Sequence, residues 1–298
     1  MKKYHQSVLL QESIDLLNVK KSDLYIDTTA GEGGHTFEIL RLGGKVLAID
    51  RDPEAIEHIK NQFKILNLKL KIGENLRVVN GNFSNLEKIA KENGFENVSG
   101  IIFDLGISSH QLDTASRGFS FQTIGPLDMR MDPNIAIKAS DIINNFDKRR
   151  LNEIFKEFGQ ERFSRPIADA VTFARQIKRI EKTNELSKII REVYKKYKVR
   201  QKINPATKVF QALRIVVNSE LLNLGESLPQ TVNLLKKKGR LVIISFHSLE
   251  DAIVKRFFKE NKNLKVLTKS PIGPESWEQF QNPRSRSAKL RAAQRINS

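Results

Sequence analysis

The 298-residue chain has no cysteine. That absence excludes disulfides, thiol nucleophiles, iron–sulfur clusters and the usual zinc finger. It also excludes the zinc base deaminases, whose metal needs cysteine ligands. The five histidines include no i, i+4 pair, so no metal site is expected. No apolar run approaches the ~18 residues of a membrane span. Met1-Lys2-Lys3-Tyr4-His5 leads into no signal-peptide hydrophobic segment, and the expected location is cytoplasmic. There is no Pro-Pro dipeptide, internal repeat or low-complexity tract. Acidic side chains are in deficit, 34 against 51 Lys+Arg, for a formal net charge of +17. Hydrophobic content of 39% and charged content of 29% lie in the ordinary globular range, which excludes disordered and collagen-like chains.

The charge is unevenly placed. Residues 1–100 are neutral and 101–140 carry −1, whereas 141–202 carry +8 and 203–298 carry +10. A neutral front and a basic back fit two tasks, one for a small molecule and one for a polyanion. On charge alone, a merely soluble lysine-rich enzyme fits equally well.

Leu24-Tyr25-Ile26-Asp27-Thr28 is a short apolar run ending in an acid, followed by Gly31, Gly33 and Gly34 and then by helical spacing through Phe37, Ile39, Leu40 and Leu42. Lys45–Asp50 predicts a second buried strand and Pro53–Leu66 a helix, with Asp52 as N-cap and Pro53 in the first turn. Arg77–Asn80 and Gly100–Asp104 are two further strands. Strand, glycine turn and helix in repetition predict an α/β fold, a doubly wound parallel sheet. The alternation stops between about Leu112 and Lys202, where charged amphipathic helices are expected near 140–145, 149–158, 164–178 and 184–197. An all-helical domain inserted at 112–202, between a core of 1–111 and 203–298, accounts for the change. The core resumes with one long helix from about Ala206 to Lys236, a strong strand over Gly239–Ser248 and a helix over Leu249–Lys259. One or two closing strands are expected in Leu264–Ser298.

In a doubly wound sheet, ligands bind beyond the carboxyl ends of the strands, where a glycine turn lets the backbone approach. Asp50 ends the second strand about twenty residues after the turn, where a carboxylate can accept ribose hydroxyls. The third glycine of the dinucleotide fingerprint is missing, since Thr36 follows Gly34-His35. The pattern therefore favours S-adenosylmethionine, which has no pyrophosphate, over a nicotinamide dinucleotide. Asn82-Phe83 could cover the adenine. Asp104, at the end of the fourth strand, would face the transferable group and could accept an N–H from an amine substrate; the alternative is a plain turn cap.

Taken together, these blocks resemble, from end to end, the bacterial family that methylates N4 of a decoding-centre cytosine in small-subunit (16S) ribosomal RNA. The matching segments are His5-x-x-Val8-Leu9-Leu10-x-Glu12, Gly31-x-Gly33-Gly34-His35, Ala48–Pro53, Asp104-Leu105-Gly106-x-Ser108-Ser109-x-Gln111-Leu112-Asp113, Arg117–Phe121 and Gly125–Asp132. They continue through Pro205-Ala206-Thr207-x-x-Phe210–Ile215, Ser245–Asp251 and Asn282–Ala288. The resemblance implies a Rossmann-like, S-adenosylmethionine-dependent methyltransferase with a helical insert for RNA recognition. It implies cofactor contacts from Gly33, Gly34, His35, Asp50, Phe83, Asp104 and Gln111. The substrate would be 16S ribosomal RNA or the assembled small subunit. Ser7 and His110 stand where the family usually has Pro, Gln160 where it has Glu, Asn204 for His and Lys208 for Arg.

His247 has two readings, a second catalytic group beside Asp104 or a hydrogen-bonded structural histidine. Asp128-x-Arg130-x-Asp132 is expected to tie its loop by ion pairs. Phe119 and Phe121 could stack on a splayed base or pack in a core. Lys148-Arg149-Arg150, Lys195-Lys196 and Arg284-x-Arg286-x-x-Lys289-x-Arg291 could meet phosphates or only water. Two other functions compete: a DNA amino-methyltransferase and a non-catalytic RNA-binding assembly factor. The first usually carries Asp/Asn-Pro-Pro-aromatic where this chain has Asp104-Leu105-Gly106. A homodimer through exposed apolar helix faces is an open option that nothing in the sequence demands.

Overall fold

A computed structural model describes residues 7–65, 71–199 and 204–296. His5 of the first motif, Leu66 and the expected 202/203 boundary lie outside the described residues. The chain forms two compact units, 1–106 with 221–298, and 107–220.

The first unit is α/β. Its front part runs α1 (Leu10–Leu17), β1 (Leu24–Asp27), α2 (Gly34–Arg41), β2 (Lys45–Asp50), α3 (Pro53–Ile65), β3 (Leu76–Asn80), α4 (Leu86–Glu92) and β4 (Val98–Asp104). The second unit holds α5 (Ser109–Asp113), α6 (Ala139–Asn145), α7 (Lys148–Glu157), α8 (Ser164–Ile177), α9 (Thr183–Lys196) and α10 (Ala206–Val217). The chain then completes the first unit with α11 (Glu220–Leu234), β5 (Leu235–Ser245), α12 (Ser248–Glu260), β6 (Leu264–Val266), α13 (Ser276–Gln281) and β7 (Lys289–Arg295).

The seven strands form one Rossmann-like sheet in the order β3-β2-β1-β4-β5-β7-β6. The first five are mutually parallel, while β7 runs antiparallel to both β5 and β6. Side chains alternate across a strand, and the sequence feeds two cores by that alternation. Ile26, Leu47, Ile49, Ile101, Phe103, Leu241 and Ile243 pack on one face with residues of α4, α11 and α12. Tyr25, Val46, Ala48, Ile102, Val242 and Ile244 pack on the other with α1, α2 and α3. Both faces are covered, so each central strand reads as an unbroken apolar run. Among the described residues, no helix is long and apolar enough to cross a membrane.

The helical unit has its own core, built from Leu151, Ile154, Phe155, Ile167, Val171, Leu186 and Ile190 with Val209, Phe210 and Leu213 of α10. The four amphipathic helices lie within a residue or two of their expected ranges. Two expectations are corrected. The unit spans 107–220 rather than 112–202, because α10 turns its apolar face into this core. The single long helix from Ala206 to Lys236 is two helices. Ser219 takes a left-handed φ of 50°, and the Asn218 side chain leaves the helix path to accept from the Met131 amide and donate to the Met129 carbonyl, both at 2.8 Å. The strong strand ends at Ser245, short of the expected Ser248.

Candidate active site

Because β1, β2 and β4 are parallel neighbours, their terminal acids Asp27, Asp50 and Asp104 lie along one edge of the sheet. The strand order reverses between β1 and β4, which makes this edge the topological switch point where open α/β sheets bind ligands.

The turn after β1 is built by that edge. The Asp27 carboxylate accepts from the Thr36 hydroxyl (2.7 Å) and the Thr29 amide (3.3 Å), which ties the strand end to the first turn of α2. Burial raises its pKa to about 6. Asp50 reaches across from β2, its Oδ2 accepting from the Gly31 amide at 2.8 Å and its Oδ1 from the Asp52 amide at 2.9 Å. Burial raises Asp50 as well, against those two amide bonds. A carboxylate has about four lone-pair sites, so two stay available for hydroxyls of a ligand. Gly33 has φ 88°, and a Cβ there would lie 2.4 Å from the Phe37 ring; one on Gly34 would lie 1.9 Å from the Ser7 hydroxyl. Neither position admits a side chain without displacing Phe37 or Ser7, so the turn packs closely against its own unit.

Asp104 differs from both. Its amide donates to Thr29 Oγ1 at 2.6 Å, but its Oδ1 is buried without a hydrogen-bond partner. Oδ2 lies 3.7 Å from Nδ1 of His35, and His35 Nε2 is likewise buried without a partner. Burial lowers the His35 pKa to about 4, leaving a neutral imidazole at neutral pH. Burial, followed by the charges of Asp27, Glu250 and Glu278, raises Asp104 well above the usual carboxylate range. Gly106, with φ 104° beside the Phe246 ring, carries the chain out of β4. The result is a strand end with several acids and two unsatisfied polar atoms, a setting complementary to a cationic, hydrogen-bonding ligand.

The other expected site residues are placed as follows. Phe83 is buried and meets Phe103 edge-on at 5.5 Å between ring centres, just beyond the Gly81 amide that donates to the Asp50 carbonyl. Gln111 belongs to the helical unit, where it completes a capping box with Ser108 at the start of α5. His247 caps α12: its Nδ1 accepts from the Glu250 amide at 3.4 Å, while Glu250 Oε2 accepts from the Phe246 amide at 2.9 Å. The imidazole thus serves the helix start.

Glu250, Thr29 and Glu278 are contributors that the motif reading passed over. Glu250 was recoverable, since it stands three residues after an N-cap at a predicted helix start. Thr29 and Glu278 offer no local signal, because their partners Asp104 and Leu9 are 75 and 269 residues away.

Phe119 belongs to the core of the helical unit, and the partly buried Phe121 packs against that core, edge-on to Phe210. Arg130 clasps Asp128 through two bonds, of 2.7 and 2.9 Å. Of the expected phosphate contacts, Lys148 pairs with Asp169, and Arg149 and Arg150 with Glu153. Lys195 and Lys196 end α9, exposed. Arg291 is corrected: it is buried and bonded to Asp251 at 2.6 Å, with Lys289 3.4 Å from the same carboxylate, because β7 inserts between β5 and β6. Arg284 and Arg286 are exposed.

A model of the MraW methylase family matches residues 2–296. The chain is 43% identical to the "Ribosomal RNA small subunit methyltransferase H" of Halothermothrix orenii, over 98% of each chain. It is 44% identical to the protein of that name from Clostridium botulinum, over 98% of this chain and 99% of the other. Among solved structures, NSun6 from Pyrococcus horikoshii with SFG superposes with a TM-score of 0.50 at 13% identity, covering 99% of this chain and 53% of the other, and shares the fold alone.

Proposed function

The chain belongs to the MraW methylase family, and we propose that it transfers a methyl group from S-adenosylmethionine to the exocyclic N4 of a cytosine in the decoding centre of small-subunit (16S) ribosomal RNA. The observation that carries this reading is Asp104 Oδ1, buried and unpartnered at the end of β4 among further acids. Such a strand end suits a ligand with an ammonium and a sulfonium. Gly33, Gly34 and His35 supply the glycine turn for the methionine end, Asp50 the acceptor for ribose hydroxyls and Phe83 the apolar wall near the base. Gln111 joins them by the family resemblance.

When bound, the donor presents an electrophilic methyl carbon on positively charged sulfur. The chain's own work is on the amine. The N4 lone pair is delocalised into the cytosine ring, so it must be drawn back onto nitrogen before it can attack. Positive charge in the cleft favours the ionised form of Asp104. The carboxylate then accepts an N4–H, concentrates density on nitrogen and receives the proton. Neutral His35, 3.7 Å away, does not compete with Asp104 for the proton. The helical unit, with +8 over residues 141–202, and the exposed Arg284 and Arg286 take the RNA backbone.

The test is incubation of the purified protein with isotopically labelled S-adenosylmethionine and either free small-subunit RNA or assembled subunits, followed by nucleoside analysis. Label in N4-methylcytidine with either substrate supports the reading. Label in another nucleoside, or none with both substrates, overturns it. Label in DNA cytosine would favour the DNA amino-methyltransferase.

A further inference from the structure

Glu278 holds a surface helix against the start of α1, and its charge is felt at Asp104. Its Oε1 accepts from the Leu9 amide at 2.9 Å. Two residues before Leu9, the Ser7 hydroxyl is packed against Gly34, and Gly34 precedes His35, which faces Asp104 at 3.7 Å. Helix α13 is thereby linked to the strand-end acids by a short run of direct contacts within one unit.

The outward side of α13 is unusual. At ~100° per residue, positions 277, 280 and 281 share one face and position 278 turns away from it. The observed burial follows: Trp277, Phe280 and Gln281 are exposed, whereas Glu278 is half-buried. Trp277 leaves 50% of its surface in water and Phe280 86%. Glu275 accepts the indole N–H at 2.8 Å, which fixes one edge of the half-exposed ring. The chain passes through Asn282, whose side chain accepts from the Arg284 amide at 3.2 Å, into a short turn carrying the exposed Arg284 and Arg286. Flat apolar rings beside guanidinium groups are the combination that takes up unpaired nucleotides, rings for base faces and cations for phosphates.

We infer that Trp277 and Phe280 form a stacking platform for unpaired bases flanking the target nucleotide, with Arg284 and Arg286 holding the adjoining phosphates. The inference rests on RNA being the substrate and assigns where its single-stranded neighbours lie. Trp277 is the chain's only tryptophan, so its fluorescence reports on the platform alone.

The experiment titrates the full-length protein with a short unstructured oligoribonucleotide, following tryptophan emission and, in parallel, binding by anisotropy of a labelled oligonucleotide. Methylation of small subunits is measured on the same preparation. The expected result is saturable quenching that coincides with binding. Phe280→Ala should bind roughly tenfold more weakly, with a raised KM for subunits and unchanged kcat and cofactor affinity. Trp277→Ala/Phe280→Ala should lose more, with unchanged melting. Binding and methylation without any change in emission, and with wild-type KM in both variants, would overturn the platform and leave the methyltransferase reading standing. Absence of methylation by the wild type would overturn that reading and the platform with it. A concentration-dependent dimer dissolved by Phe280→Ala, with RNA affinity unchanged, would make the face a contact between copies instead.

Discussion

Asp50 closes β2 with both carboxylate oxygens bonded to amides of its own chain, at Gly31 and Asp52, whereas Asp104 closes β4 with Oδ1 buried and unpartnered. In sequence the two are alike, an acid after a short apolar run. In space one is satisfied by the turn after β1, and the other keeps a buried acceptor without a partner, where we propose that a ligand donates. A buried acceptor without a partner costs about 1–3 kcal/mol, a cost that a donor on the proposed ligand would relieve. The difference shows which acid can be removed without harming the fold.

The largest effect is expected at Asp104. Asp104→Asn keeps the shape and removes the proton acceptor, so methyl transfer should fall by about 10²–10⁴ while the melting temperature holds or rises slightly. A near-wild-type rate would end the assignment. Asp50→Ala should reverse the pattern. Two amides lose their acceptor, costing about 2–4 kcal/mol of stability in denaturant titration, and cofactor affinity measured by calorimetry should drop at least ~tenfold. An Asp50→Ala protein as stable as the wild type would erase the distinction between the two strand ends.

The pH dependence sharpens the comparison further. Asp27, raised from 3.8 to about 6, keeps a proton in the native state that the unfolded chain has released, so its contribution to stability falls as pH rises from about 4 to 6. His35, lowered from 6.5 to about 4, does the opposite: stability rises with pH from about 4 to 6.5, and is lost again on acidification. The two slopes oppose each other, and the raised Asp50 and Asp104 add to the falling one. Asp27→Asn removes Asp27's share of the falling one, and stability should then climb by about 2–3 kcal/mol more than in the wild type across this window. Melts with unchanged pH dependence would refute it. The smallest change in stability, within about 0.5 kcal/mol, is expected from Arg286→Glu, which should weaken RNA binding and flatten its salt dependence. Cofactor affinity should not move; an equal loss there would show that the cleft and the basic tail are not separate.

Elements governed by local pattern were legible in the sequence. Residues 45–50 alternate into both cores and form the strand over the expected range, and the amphipathic helices of the insert follow their apolar periodicity. What escaped is held by distant partners. The start of α1 depends on Leu9, left-handed at φ 52° and bonded to Glu278. The break after α10 depends on Asn218 reaching Met129 and Met131. Arg291 reads as one more tail cation, and only the position of β7 beside β5 gives it Asp251. At the site, the strand-end acids and glycines were visible, but not which acid is satisfied, since Asp50 takes its bond from Gly31 on the neighbouring strand's turn while no donor reaches Asp104 Oδ1.

The sheet order has a consequence for synthesis. Strand β4 pairs with β1 on one side and β5 on the other, yet β5 follows it only after the whole helical unit. At about 5–20 residues per second on the ribosome, β4 waits roughly 7–25 s for that neighbour. Over this interval Ile101-Ile102-Phe103, fully buried in the finished protein, presents an open apolar edge of the kind that templates aggregation. The helical unit closes its core from contiguous sequence and can be complete before the strand that seals the catalytic sheet has emerged.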